Sequence, residues 1–347
     1  MARMRKRRAV AVSLIATVLT AVLIVVLSVR GDEPADGPAV VPASDRAPLT
    51  GLVVEDATTL DHPAVAIKVS DVRQAHPQAG VERADIVFVE PIGLSYTRLA
   101  AVFHSRLPAR VGPVRSVRPA DAPLLGPLSP VFGNTMGAGW VVTYADDVAD
   151  WDNLGTARVS GSGAYVVDRD RPRPDHVFAT PEELLELSEL TEPPEPYFDY
   201  APAGGRSSAE QAGEPGRLAV IPYGSSWQVT WTYDDGSGRY VREQPWGPHI
   251  LSGGDQVAAA NVLIMEVESR VDKLVEGHGA PVPVLDLVDA SGRFTTLSGG
   301  SSVTGSWTKS GVNDPFQLRT DTGDELKLSP GNTWVELPVP DAGVMIS

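Results

Sequence analysis

Residues 226–233 read SWQVTWTY, and their period of two decides how the rest of the chain is read. Val229, Trp231 and Tyr233 fall on one face and Gln228, Thr230 and Thr232 on the other, the pattern of a half-buried β-strand. The turn sequence DDGSG follows at 234–238 and residues 239–243 return, which predicts a β-hairpin. Similar short runs, bounded by Gly, Pro, Asp and Ser, recur downstream at 261–268, 282–288, 301–308, 316–320 and 333–337. Upstream, residues 64–69 (AVAIKV), 85–90 (DIVFVE) and 97–104 (TRLAAVFH) read as strands, with weaker candidates at 137–143 and 163–168.

One helix stands out. Thr180, Pro181, Glu182 and Glu183 form a capping-box sequence with proline at the first helical position, and Leu184, Leu185, Leu187 and Leu190 supply an apolar face. After it, residues 191–216 are rich in Pro, Gly and Ser and mark an internal boundary. The expected fold class is α+β. An α/β first module (48–190) and a mainly β second module (217–338) are joined by a flexible linker (191–216) and followed by a short tail (339–347).

The N-terminus has a different character. Residues 1–8 (MARMRKRR) precede an uncharged apolar run at 9–29. At 1.5 Å per residue a helix there is about 31 Å long, close to the hydrocarbon thickness of a bilayer. The basic flank places the N-terminus inside. A cleaved secretory signal is the competing reading, but its apolar run is shorter and ends in a small-x-small site, whereas this one ends Leu27-Ser28-Val29-Arg30. The chain is therefore expected to be a single-pass membrane protein. It has a cytoplasmic stub, an uncleaved signal-anchor helix, a stalk at 30–47 and an extracytoplasmic bulk.

Charge divides at the same place. Six basic residues and no acidic one precede residue 31, so the rest is more acidic than the overall net charge of −15. Such a surface repels nucleic acid, which is not expected as a partner. With no cysteine, disulfides, thiolate metal sites and lipid thioethers are all excluded.

Several runs together resemble the YerB family of two-module bacterial envelope proteins, built from domains of unknown function. In the first module these are Lys68-Val69, Pro77-Gln78-Ala79-Gly80, Ala84-Asp85-Ile86-Val87 with Glu90, Thr97-Arg98 with Phe103, and residues 112–119 (GPVRSVRP). In the second they are Gly247-Pro248-His249, Asn261-Val262, Gly305-Ser306-Trp307-Thr308-Lys309 and Pro330-Gly331-Asn332-Thr333-Trp334. The resemblance spans about residues 48–338 and implies an envelope location and a two-module plan, but no reaction. Two features depart from it. Family members are often lipoproteins, and this chain has no cysteine to acylate. Pro174-Asp175-His176-Val177 stands where the family shows Pro-His-Asn.

Residues 112–119 are unusual in so acidic a chain. Arg115 and Arg118, with Arg98 from a neighbouring strand, could converge on a carboxylate or phosphate, which guanidinium forks suit. They could equally pair with Asp121, Asp85 or Glu90 and hold the fold. Residues 168–176 (DRDRPRPDH) gather carboxylates beside His176, but the interleaved arginines oppose a cation, and no metal or other cofactor is expected. His104 ends an apolar strand, as a core or edge histidine does. Trp307 and Lys309 share a strand face, where they could meet a sugar or peptide, or close the β core. No nucleophile elbow, zinc-helix, P-loop or dinucleotide motif is present.

Two functional classes remain. One is a non-catalytic binding or scaffolding protein contacting cell-wall polymer or another envelope protein. The other is a wall-directed hydrolase or transferase, with an arginine-lined anion pocket and His104 or His176 as acid/base.

Overall fold

Strands β1 (Val65–Ser70), β2 (Ile86–Ile92) and β3 (Tyr96–Phe103) carry apolar runs too continuous for a sheet wet on one side. They form an antiparallel unit with β3 in the middle, and nearly every residue in it is buried. The computed structural model describes residues 46–93, 96–271 and 283–347. The stub, the transmembrane helix expected at 9–29 and most of the stalk lie outside these residues. Among the described residues no helix is long and apolar enough to cross a membrane.

The first segment continues with helix α1 (Asp121–Leu125), β4 (Val131–Gly133), α2 (Gly139–Val148), β5 (Asp152–Asn153), the hairpin of β6 (Tyr165–Val167) and β7 (Val177–Ala179), and α3 (Pro181–Leu187). Residues 191–216 then supply α4 (Ser208–Ala212). The second segment adds β8 (Leu218–Pro222), β9 (Gln228–Asp234), β10 (Arg239–Gln244), β11 (Asn261–Met265), β12 (Ala290–Ser298), β13 (Ser301–Lys309), β14 (Gln317–Thr320), β15 (Thr333–Glu336) and β16 (Met345–Ile346).

An eleven-stranded sheet runs β14-β13-β12-β11-β15-β2-β3-β1-β4-β5, with Glu214–Pro215 pairing β13 at one side. Alternation along its strands fills two cores. Ala66, Phe88, Ala100, Met265, Phe294 and Trp307 face α1, α2, Tyr197 and Phe198. Val65, Ile67, Val87, Leu99, Ile264 and Trp334 face a six-stranded antiparallel sheet built on β8, β9 and β10. Val229 and Trp231 of β9 point into that second core, as the period of two requires.

The architecture is mainly β with few helices, in the first segment as well as the second. The two segments also share a sheet: β2 pairs in parallel with β15, Ile86 opposite Thr333 through Val89 opposite Glu336. The boundary at 191–216 is thus one of sequence, not of separate sheets. That segment is not featureless. Tyr197 and Phe198 are buried in the core, and Ser207 caps α4 by a capping box with Glu210. Two local expectations need correction. Residues 137–143 are not a strand but enter α2, where Val141 and Ala145, four apart, bury one face. Tertiary packing here overrides the β preference of Val141 and Val142. Helix α3 forms where expected, but its N-cap Thr180 makes no side-chain capping bond.

Candidate anion-binding site

The core face of the central strands turns ionic at one end. Pairing sets Ser70, Arg98 and Glu90 in one row across β1, β3 and β2, and Lys68, Ala100 and Phe88 in the next. Lys68, Glu90 and Arg98 therefore emerge on one face, and all three are buried. Asp121, the first residue of α1, reaches into this group. Lys68 Nζ contacts the Glu90 carboxylate and donates to Asp121 Oδ1 at 2.6 Å, while Asp121 Oδ2 accepts from the Arg118 backbone N–H, also at 2.6 Å. Burial lowers the Lys68 pKa to about 7 against the attraction of Asp121, with Arg98 and Arg118 pushing the same way as burial.

This assignment decides where the arginines stand. Residues 111–117 run as an irregular strand pinned at Val69–Val114 and Val111–Ala179, with Val111, Val114 and Val117 buried. Arg115 and Arg118 follow two of these valines and project together. Arg98 and Arg118 are each shifted down, chiefly by burial; Arg115 adds to the shift in both, and Asp121 opposes it in both. The structure thus brings Arg98, Arg115 and Arg118 within electrostatic reach of one another, but not into pairs with Asp121, Asp85 or Glu90. Lys68 holds two of those carboxylates. Asp85 accepts from the Ser105 hydroxyl and from the backbone N–H groups of His104 and Ser105.

A guanidinium carries five N–H donors. Among the described residues the three groups make two side-chain hydrogen bonds, Arg98 Nη1 to Ser116 O at 3.1 Å and Arg118 Nη1 to Val117 O at 2.9 Å. Arg115 has only a loose ion pair, Nε to Asp175 Oδ1 at 4.0 Å. The Nε atoms of Arg98 and Arg115, Asp175 Oδ1 and His176 Nδ1 are buried without hydrogen-bond partners. Buried polar atoms are normally satisfied, so this concentration of donors and acceptors gives the place the chemistry of a polar-group site.

A cavity of about 490 Å³ opens beside Arg115. His176 lines it too, with the hydroxyls of Thr135, Thr156 and Ser160 and an apolar wall that includes Val159 and Val167. Arg98 and Arg118 are not among its lining residues. The ring of Tyr165 is presented with its hydroxyl already engaged, donating to Leu154 O and accepting from the Asn134 N–H.

The remaining candidates lie elsewhere. His104 is buried, with Nε2 at 3.0 and 3.1 Å from the carbonyls of Leu60 and His62; burial, then His62, lowers its pKa to about 4. It is a neutral core group, not an accessible base. Trp307 is buried and donates to Glu266 O. Lys309 is buried as well, its ammonium bonded to the carbonyls of Val312 and Asp314 over the Phe316 ring. Both close the core and neither is open to a ligand. In the loop at 168–176, Asp168 pairs with Arg110 at 2.8 Å, an ionic loop as its sequence suggests.

One polar group has no counterpart in the sequence reading. Arg242, fully buried, contacts Asp71 at 3.4 Å and Glu336 at 3.3 Å, and donates to His249 Nδ1 at 3.0 Å. His249 donates its Nε2–H to Gln78 Oε1 at 2.6 Å. The available signal was parity: Arg242 lies on β10 between Tyr240 and Gln244, in phase with the buried positions. Ligand atoms of Asp71, His76 and His249 lie within 4.8 Å of one another. Both His249 nitrogens are engaged, however, and Arg242 already occupies the carboxylate's side, so this group reads as a polar core and not a cation site.

Comparison with known proteins adds context. The family model described as "Protein of unknown function (DUF3048) N-terminal domain" matches residues 49–192, and the DUF3048 C-terminal domain matches residues 219–335. The chain is 26% identical over 310 residues to "Putative lipoprotein YerB" of Bacillus subtilis (strain 168), covering 85% of this chain and 86% of that protein. A crystal structure of YerB protein from Bacillus subtilis superposes with a TM-score of 0.73 at 24% identity, covering 87% of this chain and 99% of that one.

Proposed function

The chain belongs to the YerB-like DUF3048 family, whose two domains have no assigned activity, and from that premise we propose that it is a non-catalytic binding protein of the cell envelope. In this reading residues 9–29 anchor it in the membrane, the role that lipid would have in a lipoprotein, since this chain has no cysteine to acylate. The folded part, outside the cytoplasm, holds an anionic group of cell-wall polymer or of another envelope protein. The observation that carries this is the donor surplus of Arg98, Arg115 and Arg118: Lys68 takes Glu90 and Asp121, and Asp175 meets Arg115 only at 4.0 Å. An external carboxylate or phosphate would satisfy those donors.

One observation favours the enzymatic alternative, a wall-directed hydrolase or transferase: His176 shares the cavity with Arg115. Among the described residues no hydrogen bond joins His176 to the hydroxyls of Thr135, Thr156 or Ser160, which supports binding over catalysis.

The test is cosedimentation of the full chain, in detergent, with insoluble cell-wall material. Each lost hydrogen bond from a charged group is worth about 1.5–3 kcal/mol, so Arg115→Ala with Arg118→Ala should weaken retention at least roughly tenfold. The melting temperature should fall only slightly, because Arg115 meets the buried Asp175 only at 4.0 Å and Arg118 makes no close side-chain ion pair among the described residues. Unchanged retention, or a double variant that unfolds readily, would sink the reading. Wall hydrolysis that His176→Ala abolishes would establish the alternative.

A further inference from the structure

A second basic feature lies away from Arg98, Arg115 and Arg118. Two cavities, of about 390 and 600 Å³, share Glu82 and Arg83 on their walls. The first adds Arg106 and Arg239, the second Arg110 and Arg171. Five arginines therefore follow one furrow along the seam between the two segments, on a chain whose net charge is −15.

The backbone explains their alignment. Gly80 has φ +82°, and a Cβ there would lie 2.3 Å from the Arg110 carbonyl, so only glycine lets the turn carrying Arg83 close against the segment carrying Arg110. Arg110 lies flat over Phe178, 3.8 Å from the ring centroid, and pairs with Asp168. Arg171 is held by the carbonyls of Ala75 and Pro77. Arg239 donates to Ala258 O and Asn332 Oδ1, yet its Nε is buried and unpartnered.

Arg83 and Arg106 are exposed and make no close ion pair or side-chain hydrogen bond among the described residues, Arg106 acting on the buried Asp85 only at longer range. Three anchored cations and two free ones, with Arg83 common to both cavities, suit a ligand that presents several anionic groups, not a single anion.

We propose that this furrow is a docking track for a linear polyanion, an envelope glycopolymer or polyol polymer bearing phosphate or carboxylate along its length. This goes beyond the Arg115 site and uses none of its residues. Binding is driven by release of counterions from the polymer, and therefore weakens steeply with salt.

The experiment titrates the full chain in detergent with long-chain polyphosphate and with polygalacturonate, each against its monomer, at several salt concentrations. At least one polymer should bind roughly tenfold or more tightly than its monomer, and which one does so identifies the anionic group. Arg83→Ala with Arg106→Ala should weaken that binding about tenfold and reduce the log–log salt slope by about 2, one per arginine removed. Its melting temperature should stay unchanged, since neither side chain has a partner to lose. In an Arg115→Ala/Arg118→Ala background the Arg83→Ala/Arg106→Ala pair should still lower the polymer affinity and the salt slope by the same amounts, which separates this proposal from the failure of the Arg115 reading. Polymer binding abolished by the Arg115/Arg118 change alone, equal affinity for monomer and polymer, or an Arg83/Arg106 variant with unaltered slope would overturn the proposal. So would equal binding to anionic phospholipid vesicles through the same arginines, because that would assign the furrow to a membrane surface.

Discussion

Asp71→Ala is expected to be among the most damaging substitutions in the molecule, although Asp71 belongs to the polar core and not to the anion site. Its carboxylate accepts from Thr97 Oγ1 at 2.6 Å and Gln244 Nε2 at 2.7 Å, and faces Arg242 at 3.4 Å. Arg242 is bound on its other side to Glu336, which in turn accepts from Tyr223 at 2.7 Å and Trp231 at 2.9 Å. Asp71 comes from the first sequence segment and the other charged members from the second, so the network fastens the two together. A buried ionic network is weak evidence of net stability, but removing one member leaves the rest uncompensated, at about 3–5 kcal/mol. At about 2–4 °C per kcal/mol, the expected fall in melting temperature is on the order of 10 °C. The pH dependence follows. Burial alone would raise the Asp71 pKa, but Arg242, with help from His76 and His249, holds it well below the usual carboxylate range. A carboxylate depressed in the folded state contributes stability above its unfolded value of 3.8, and that contribution is lost as pH falls through the folded value. Thermal melts followed by circular dichroism, from neutral pH to below pH 4, should therefore show the wild type losing its advantage over Asp71→Ala in acid. A loss under about 2 °C at neutral pH, or a gap between the two proteins that does not narrow in acid, would refute the argument.

Two further outcomes test the arginines and the furrow. Arg98→Met should leave the melting temperature unchanged or raise it, because it removes a buried guanidinium with no carboxylate partner, while retention on wall material falls; a fall of several degrees would show Arg98 to be structural. Gly80→Ala should destabilise the chain by roughly 1–3 kcal/mol, from the left-handed backbone and the collision with the Arg110 carbonyl, and should weaken polyanion binding together with stability; wild-type melting would contradict the close approach.

Local chemistry made much of this protein legible. Strands β1, β2, β3, β9, β11, β13 and β15 fall where apolar runs or alternation place them, because side-chain period and flanking turn residues are local properties. Spacing and proline stiffness also singled out Arg115 and Arg118, and the neighbouring strand singled out Arg98. That they do not pair with Glu90 or Asp121 could not be read that way. It depends on Lys68, a single cation in an apolar strand, reaching Glu90 on the next strand but one and Asp121 at a helix start. The sequence by itself determined most of the central strands (though not β8 or β12), the basic N-terminal flank, the absence of cysteine chemistry and the anomalous arginines. Only the tertiary structure decided that residues 139–148 are a helix, that one sheet crosses both segments and that Arg242 is a core residue. The physical reason is common to all three. Each depends on groups distant in the chain, such as β2 against β15 or Asp71 against Arg242, whose meeting is fixed by packing and charge compensation across the fold.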